Sequence, residues 1–227
     1  PGLISRDGVI RSSPNMITAI EFPVREQLAN ALGETVWCDN DATCAALAEW
    51  QRGAGVGSRD MWMVTLGTGI GGGLISGGAL QHGAHGHAGE VGHMVVQANG
   101  DECPCGQRGC WERYASGAGL SQLAGGVAGE VVIDRARSGD IPSLKALDEF
   151  CTWVALGLAN IANMSDPDTI VVGGGVMENA DILMPRIQKR FATMLYAPSH
   201  RVHPVLKSAQ LGERAGAIGA ALLHLHD

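Results

Sequence analysis

The sequence predicts an α/β protein in which strands and helices alternate. Residues 61–66 and 169–172 are nearly continuous apolar runs, as expected for strands that are covered on both faces of a sheet. Residues 144–164 show the apolar periodicity of a long helix. Glycine accounts for 33 of 227 residues, roughly twice its average usage, which indicates tight turns and close backbone contacts. Alternation of such strands and helices is typical of the α/β class.

Each further element follows from apolar periodicity between turn residues. In the first half of the chain the pattern predicts strands at 35–38, 61–66, 70–76 and 91–97, and a helix at 42–52. In the second half it predicts a helix from Trp111, helices at 144–164, 182–195 and 213–225, and strands at 169–172 and 203–207. Ligands of open α/β sheets collect where strands end, so the polar residues at those points are candidate site residues.

Composition argues against general binding to nucleic acids or membrane surfaces. The chain has 16 Lys and Arg against 23 Asp and Glu, a net charge of −7, whereas nucleic-acid and membrane-surface binding rely on basic patches. The longest stretch without these charged residues, 61–89, is interrupted by many glycines and predicts strands and turns rather than a membrane span. Half of the six cysteines crowd into residues 103–110, which favours a reducing cytoplasm over a disulfide framework.

The crowded cysteines predict a zinc site. His93, Cys103, Cys105 and Cys110 offer one imidazole and three thiolates within 18 residues, the nitrogen and sulfur ligand set that tetrahedral zinc prefers. Four protein ligands leave no position for a reacting water, so the zinc would be structural. The alternative is that the three cysteines are free or redox-active thiols.

Two carboxylates flank this loop, Glu90 before His93 and Glu112 after Cys110. If one ring nitrogen of His93 binds zinc, the other can donate a hydrogen bond. A donor beside two carboxylates suits the hydroxyl groups of a sugar, although both glutamates could instead be solvated surface charges. A different group of histidines has no cysteine or carboxylate at ligand spacing and predicts a mobile polar loop rather than a second metal site. Its members are His82, His85 and His87.

Asp39, Asn40 and Asp41 stand between a predicted strand and a predicted helix. A carboxylate there either caps the helix or serves as a general base that the helix dipole keeps ionised. The glycine turn at 66–73 offers backbone N–H groups to phosphate, although it is not a Walker A motif and a plain hairpin fits it equally well. Glycines 173–175 would let a flat ligand lie against the backbone. Together these features indicate phosphoryl transfer from a nucleotide to a sugar.

Several segments together resemble the ROK family of repressors, open reading frames and sugar kinases. The most specific are EVGH at 90–93, CPCGQRGCWE at 103–112 and YASG at 114–117. Residues 64–74 resemble the second phosphate segment of the family, and residues 170–175 its adenosine segment. The resemblance runs along the whole chain, and WERYASG at 111–117 is most similar to the glucokinases of the family.

The resemblance implies an actin-like ATPase (ribonuclease H-like) fold with two lobes and the active site between them. Residues 1–54 and about 213–227 would form a small lobe, and residues 55–212 a large lobe that carries the zinc loop 93–110. The phosphate segment of the type Asp-x-Gly-Gly-Thr that opens family kinases does not occur in the sequence. We therefore expect the first lobe to be incomplete and this chain to be inactive unaided.

The resemblance also implies roles for individual residues. Asp41 would be the catalytic base, and the cofactors would be structural zinc and ATP with Mg²⁺. The sugar would be held by Asn40, Asp41, Glu90, His93 and Glu112. ATP would lie along Thr68, Gly69, Gly174 and Gly175. Zinc would be bound by His93, Cys103, Cys105 and Cys110.

The implied activity is ATP-dependent phosphorylation of glucose by a cytoplasmic homodimer or homotetramer. The implied partners are a sugar and a nucleotide, with no nucleic acid for this chain and no membrane. Two alternatives remain open. One is a sugar-responsive repressor, although Asn40 before Asp41 favours a kinase. The other is a kinase for N-acetylmannosamine or another hexose, since hydroxyl-binding residues alone do not fix the epimer.

Overall fold

The computed structural model describes residues 2–13 and 18–226. Pro1, residues 14–17 and Asp227, which belong to the predicted small lobe, lie outside the described residues. The strands are β1 Leu3–Ile4, β2 Ile10–Ser12, β3 Met61–Leu66, β4 Ile70–Ser76, β5 Ala79–Gln81, β6 Thr169–Gly173 and β7 Val205–Ser208. The helices are α1 Val24–Leu32, α2 Asp41–Arg52, α3 Glu112–Ala115, α4 Gly117–Leu123, α5 Gly129–Arg137, α6 Ile141–Ser165, α7 Ala180–Met194 and α8 Ala215–Leu222.

A five-stranded mixed sheet in the order β5-β4-β3-β6-β7 organises the molecule. β3 pairs antiparallel with β4 and parallel with β6, which pairs parallel with β7. Every residue of β6 is buried, as is every residue of β3 except Thr65. The continuous apolar runs of the sequence are thus the central strands, whose two faces are both covered.

Alternate residues of β3 enter two separate cores. Trp62, Val64 and Leu66 pack with α6 and α7 on one face, whereas Met61 and Met63 pack with α2 on the other. Successive side chains of a strand point to opposite faces, so one strand supplies both layers. Burial of each large side chain stabilises the fold by about 1.5–3 kcal/mol. Because β3 contributes such side chains to both cores, it is the central strand of the structure.

Glycines bring α2 unusually close to the sheet. A Cβ atom at Gly71 would lie 2.7 Å from the Ala42 Cβ, and one at Gly73 would lie 2.5 Å from the Ala46 Cβ. On the opposite side, a Cβ at Gly219 of α8 would lie 1.7 Å from the carbonyl oxygen of Cys44. The first turn of α2 is thus fixed against β4, and α8 is fixed against the middle of α2.

Two predicted strands are wrong. Residues 35–38 have no regular structure, because none of the described residues pairs with them in a ladder. Residues 91–97 form a short 3₁₀ helix at Val91–His93, followed by a single bridge between Val95 and Cys110. The turn of the backbone seats Val91 in the core and directs His93 towards the cysteines, which a straight strand would not do.

The remaining predicted elements are confirmed to within a few residues. The helix at 144–164 extends to Ile141–Ser165, and the helix at 213–225 is shortened to Ala215–Leu222 between two 3₁₀ turns. Three helices were not predicted, namely α1, α4 and α5. None of the helices in the part of the chain that the structure describes has the length and apolarity to cross a membrane.

Candidate active site

Asn40 begins α2 and caps it. Its Oδ1 accepts hydrogen bonds from the Ala42 N–H at 2.8 Å and the Thr43 N–H at 3.3 Å, and its Nδ2 donates to the Gly2 carbonyl at 3.1 Å. Asn40 is therefore the helix cap, and the Oδ1 of Asp41 also accepts a hydrogen bond from the Ala42 N–H, at 3.1 Å. Asp41 is the first residue of the helix, and its side chain is exposed. The helix dipole favours the ionised carboxylate at that position.

Glu112 reaches the glycine turn after β3. Its Oε2 accepts a hydrogen bond from the Ile70 N–H at 2.8 Å, and a Cβ at Gly69 would lie 2.3 Å from the same oxygen. The turn is fixed on its other side by the Gly117 N–H, which donates to the Gly67 carbonyl at 2.8 Å. Glu112 is half-buried, so it is not merely a solvated surface charge.

Glu90 directly precedes the short 3₁₀ helix Val91–His93, which ends at His93. The Glu90 Oε2 is 4.0 Å from the His93 Nε2. Burial raises the pKa of Glu90, His93 and His87 oppose that rise, and the charges of Asp41 and Glu112 add to it. The backbone next to these carboxylates also meets at the start of β4, where a Cβ at Gly92 would lie 2.3 Å from the Ile70 carbonyl oxygen and one at Gly71 would lie 2.7 Å from the Ala42 Cβ.

The four predicted metal ligands come together. The ligand atoms of His93, Cys103, Cys105 and Cys110 all lie within 4.8 Å of one another. The His93 Nδ1 is 3.8 Å from the Cys103 Sγ, and the sulfur atoms of Cys105 and Cys110 are 3.6 Å apart. Ligands of a tetrahedral zinc with bonds of about 2.3 Å would be about 3.7 Å apart, so the arrangement fits the ion.

Local backbone geometry forms the cysteine loop. Gly106 has a positive φ of 89°, and its N–H donates to the Cys103 carbonyl at 2.9 Å. The Cys103 N–H in turn donates to the Gln107 carbonyl at 2.9 Å. Burial raises the pKa of the Cys110 thiol to about 12, so a cation is the natural means of holding thiolates there.

The His93 ring separates the cysteine cluster from the carboxylates. Nδ1 faces the sulfur atoms, and Nε2 faces Glu90. A metal on Nδ1 would leave the proton on Nε2, where it can be donated to a ligand beside Glu90. This is the orientation that the sequence interpretation required.

The second glycine segment lies beside the first. Gly174 has a positive φ of 89°, and a Cβ there would lie 2.4 Å from the Leu66 carbonyl oxygen. Gly175 has no heavy atom within 4 Å of the position that a Cβ would occupy. Because β3 and β6 are parallel neighbours, the turns that follow them meet at one edge of the sheet. Thr68, Gly69, Gly174 and Gly175 are therefore brought to the same edge.

Sequence reasoning missed one contact at the site. The His82 Nε2 is 2.6 Å from the Asp39 Oδ2, and the side chain of Asp39 is only 9% exposed. His82 is therefore not part of a merely polar loop with His85 and His87. The partners are 43 residues apart, and no local spacing signals such a pair.

The fold and these residues define a known class of protein. The ROK family profile matches residues 1–227, and the chain belongs to the ROK family. It resembles a solved ROK glucokinase from Streptomyces griseus in complex with glucose and AMPPNP, with a TM-score of 0.90 and 35% identity over 98% of this chain and 78% of that one. ROK glucokinases have the actin-like ATPase fold, and this chain shares it.

Curated relatives include both enzymes and regulators. A glucokinase of Streptomyces coelicolor is 34% identical over 88% of this chain and 70% of its own length. The N-acetylgalactosamine kinase AgaK of a Shewanella species is 36% identical over 98% of this chain and 75% of its own length. The xylose repressor of Bacillus subtilis is 30% identical over 96% of this chain and 58% of its own length.

Proposed function

We propose that the protein is an ATP-dependent sugar kinase that acts on glucose. The observation that carries this proposal is the convergence of Asp41, Glu90 and Glu112 with the outward nitrogen of His93. The glycine turn at 67–69 touches this group through Glu112, so a polyol pocket and a phosphate-binding turn are adjacent. The glucokinase relatives support the same conclusion.

The sugar would be held by hydrogen bonds of two kinds. The carboxylates of Glu90 and Glu112 accept hydrogen bonds from hydroxyl groups, and the His93 Nε2–H donates one to a hydroxyl oxygen. Asn40, whose Oδ1 caps α2, borders the position of the reacting hydroxyl. Hydrogen bonds from several directions fix the orientation of a sugar as well as its affinity.

Asp41 would accept the proton of the attacking hydroxyl. The sugar oxygen then forms a bond to the γ-phosphorus while the bond from that phosphorus to the bridging oxygen of ADP breaks, and ADP departs with the electron pair. Backbone N–H groups at Thr68 and Gly69 would contact phosphate oxygens, and Gly174 and Gly175 would leave room for the nucleoside. Mg²⁺ bound with ATP would neutralise charge on the phosphates.

Zinc on His93, Cys103, Cys105 and Cys110 would have a structural role. The ion would fix the ring of His93 so that Nε2–H points at the sugar, and it would hold Glu112 near by through the short connection to Cys110. It would take no part in the transfer itself, because four protein ligands complete its coordination.

We also propose the lobe division stated from the sequence, 1–54 with about 213–227 against 55–212. The contact between Gly219 of α8 and Cys44 of α2 supports the joining of the closing segment to the first. A cytoplasmic homo-oligomer, a dimer or a tetramer, is part of the same proposal. We also propose that this chain binds neither nucleic acid nor membrane. Its acidic composition supports this part of the proposal.

The test is a coupled ADP-release assay on the protein expressed from its complete reading frame. The panel contains glucose, mannose, fructose, N-acetylmannosamine and N-acetylgalactosamine at equal concentrations. We expect the highest kcat/KM for glucose. A higher value for another sugar would reassign the substrate, and no turnover with any sugar would refute the kinase.

A sugar-responsive repressor is the second candidate, because the xylose repressor relative matches nearly all of this chain. The same full-length protein would then bind its own promoter region in a gel-shift assay and release it when sugar is added. Specific DNA binding without sugar phosphorylation would favour this candidate over the kinase.

A further inference from the structure

Asp39 is a nearly buried carboxylate that directly precedes Asn40 and Asp41. Its Oδ1 accepts a hydrogen bond from the Asn40 N–H at 2.7 Å, and its Oδ2 lies 2.6 Å from the His82 Nε2. An ionised carboxylate only accepts hydrogen bonds, so the imidazole donates. A buried carboxylate is costly unless it is paired in this way, which makes His82 the partner that stabilises it.

His82 stands at the neck of the loop that leads to Glu90. Its carbonyl oxygen accepts a hydrogen bond from the Ala88 N–H at 3.0 Å, which closes residues 82–88 into a loop. The next residue, Gly89, has a φ of 106° and lies against Gly72 of β4, where a Cβ would be 2.4 Å from the Gly72 carbonyl oxygen. The closure of the loop at His82 and the contact of Gly89 with Gly72 together set where the backbone enters Glu90.

We propose that the Asp39–His82 pair is a positioning pair that holds the Asn40–Asp41 segment and the Glu90 loop in one geometry. Neither side chain touches the sugar in this proposal. The pair joins the segment that carries the base to the segment that carries a sugar carboxylate, across 43 residues of sequence. This inference rests on the proposed sugar site, since it explains how two of its parts keep their spacing.

The pair would contribute to the reaction by keeping the reacting groups aligned. The capping bonds of Asn40 fix the start of α2 along the helix, whereas the preceding residues 35–38 belong to no sheet. Loss of the His82 contact would remove the direct link between Asp39 and the loop, while the Ala88–His82 backbone bond would keep the loop closed. A misplacement of about 1 Å at reacting groups can lower the rate by about 100-fold.

The experiment is a double-mutant cycle on the protein expressed from its complete reading frame, with His82→Ala, Asp39→Asn and the double variant. We expect each single variant to lower kcat/KM for the sugar by about 10- to 100-fold, with a rise in the KM for sugar and an unchanged KM for ATP. The double variant should be no worse than the less active single variant, because both changes act on the same contact.

His82→Gln restores a side-chain N–H donor and should recover most of the sugar KM, which a purely structural defect would not show. His85→Ala is the matched control, because His85 is exposed in the same loop and should leave kinetics unchanged. The inference would be overturned if the losses in kcat/KM of the two single variants multiply in the double variant. It would also be overturned if the single variants keep the wild-type sugar KM and kcat.

The two proposals can be distinguished, because a protein that is not a kinase would give a different set of results. If the wild-type protein phosphorylates no sugar, the kinase is refuted, and calorimetric titration of the same variants with the sugar that the wild type binds tests the pair directly. Weakened sugar binding by His82→Ala and Asp39→Asn that is non-additive supports the pair, and unchanged or additive binding rejects it. A wild type that binds no sugar rejects both.

Discussion

Asn40 and Asp41 contribute differently to the start of α2. Asn40 satisfies the backbone N–H groups of the first turn, whereas Asp41 keeps its exposed carboxylate at the positive end of the helix. Asp41 shares the Ala42 N–H with Asn40, but Asn40 also accepts from the Thr43 N–H, so Asp41→Asn removes a charge while the cap remains. The proposed base can therefore be tested without unfolding the helix.

We expect Asp41→Asn to lower kcat by about 100- to 10,000-fold, the usual contribution of a general base. Sugar affinity should survive, because Glu90, Glu112 and His93 remain. The assay is ADP release together with calorimetric titration of sugar. Asp134→Asn on the exposed side of α5 is the control and should behave as the wild type. Substantial turnover by Asp41→Asn would remove Asp41 from the mechanism.

The metal cluster can also be probed through one residue. Cys105 is the exposed member of the four ligands, so Cys105→Ser removes a soft ligand without opening a cavity in the core. We expect the purified variant to lose zinc, measured by atomic emission, and to bind sugar at least about tenfold more weakly. Cys38→Ser, a cysteine outside the cluster, should retain its zinc.

Protons should compete with the metal at the same cluster. Burial raises the pKa of the Cys110 thiol to about 12 in the absence of metal, and zinc binds the thiolate. Zinc affinity should therefore fall as the pH is lowered from 8 to 6, with release of protons on binding. Chelator competition followed across this range measures the slope, and a pH-independent affinity would argue against thiolate ligation.

At the scale of elements, the contact between α2 and α8 depends on a single missing side chain. Gly219 faces the Cys44 carbonyl so closely that a Cβ would lie 1.7 Å from it. Gly216 lies in the same helix, and its nearest such atom is 3.9 Å away, the carbonyl oxygen of Asp41. The two glycines therefore differ in packing but not in secondary structure.

We expect Gly219→Ala to lower the free energy of unfolding by about 1–3 kcal/mol through overpacking. Gly216→Ala is the matched control and should be neutral or stabilising by a few tenths of a kcal/mol up to about 1 kcal/mol, because alanine favours helix. Urea denaturation of both variants measures the difference. Equal effects of the two substitutions would show that α8 does not pack against α2 in this way.

At the scale of the whole molecule, Glu49 connects distant parts of the chain. This fully buried glutamate of α2 accepts hydrogen bonds from the Ala54 N–H at 2.7 Å and from the N–H groups of Gln210 and Leu211 at 2.8 and 2.7 Å. The three bonds tie the helix that carries Asp41 to the segment that leads into α8. A buried charge of this kind is tolerated because donors surround it.

Glu49→Gln should destabilise the fold by about 1–3 kcal/mol, because one of its oxygens becomes a donor that faces N–H groups. Thermal unfolding measures the loss. Glu130→Gln on the exposed surface of α5 is the control and should leave the midpoint unchanged. A wild-type midpoint for Glu49→Gln would show that the carboxylate is not needed for these contacts.

Much of the fold and the site follows from local patterns. The cluster of His93 with three cysteines and the position of Glu112 were predictable because their spacing along the chain is short. The strands β3, β4 and β6 were predictable because their apolar runs are long. Helix α1 was missed because it buries none of its residues and so has little apolar signal. The Asp39–His82 pair was missed because it depends on tertiary structure alone.

The compactness of the cysteine loop has a consequence for the order of folding. Its four ligand positions span only residues 93–110, so the entropy cost of bringing them together is small, whereas β3 must find β6 more than a hundred residues away. We expect a metal-bound loop to form early and to serve as a local nucleus on which the slower parallel pairing is completed. Zinc would then influence how fast the protein reaches its native state as well as how its pocket is shaped.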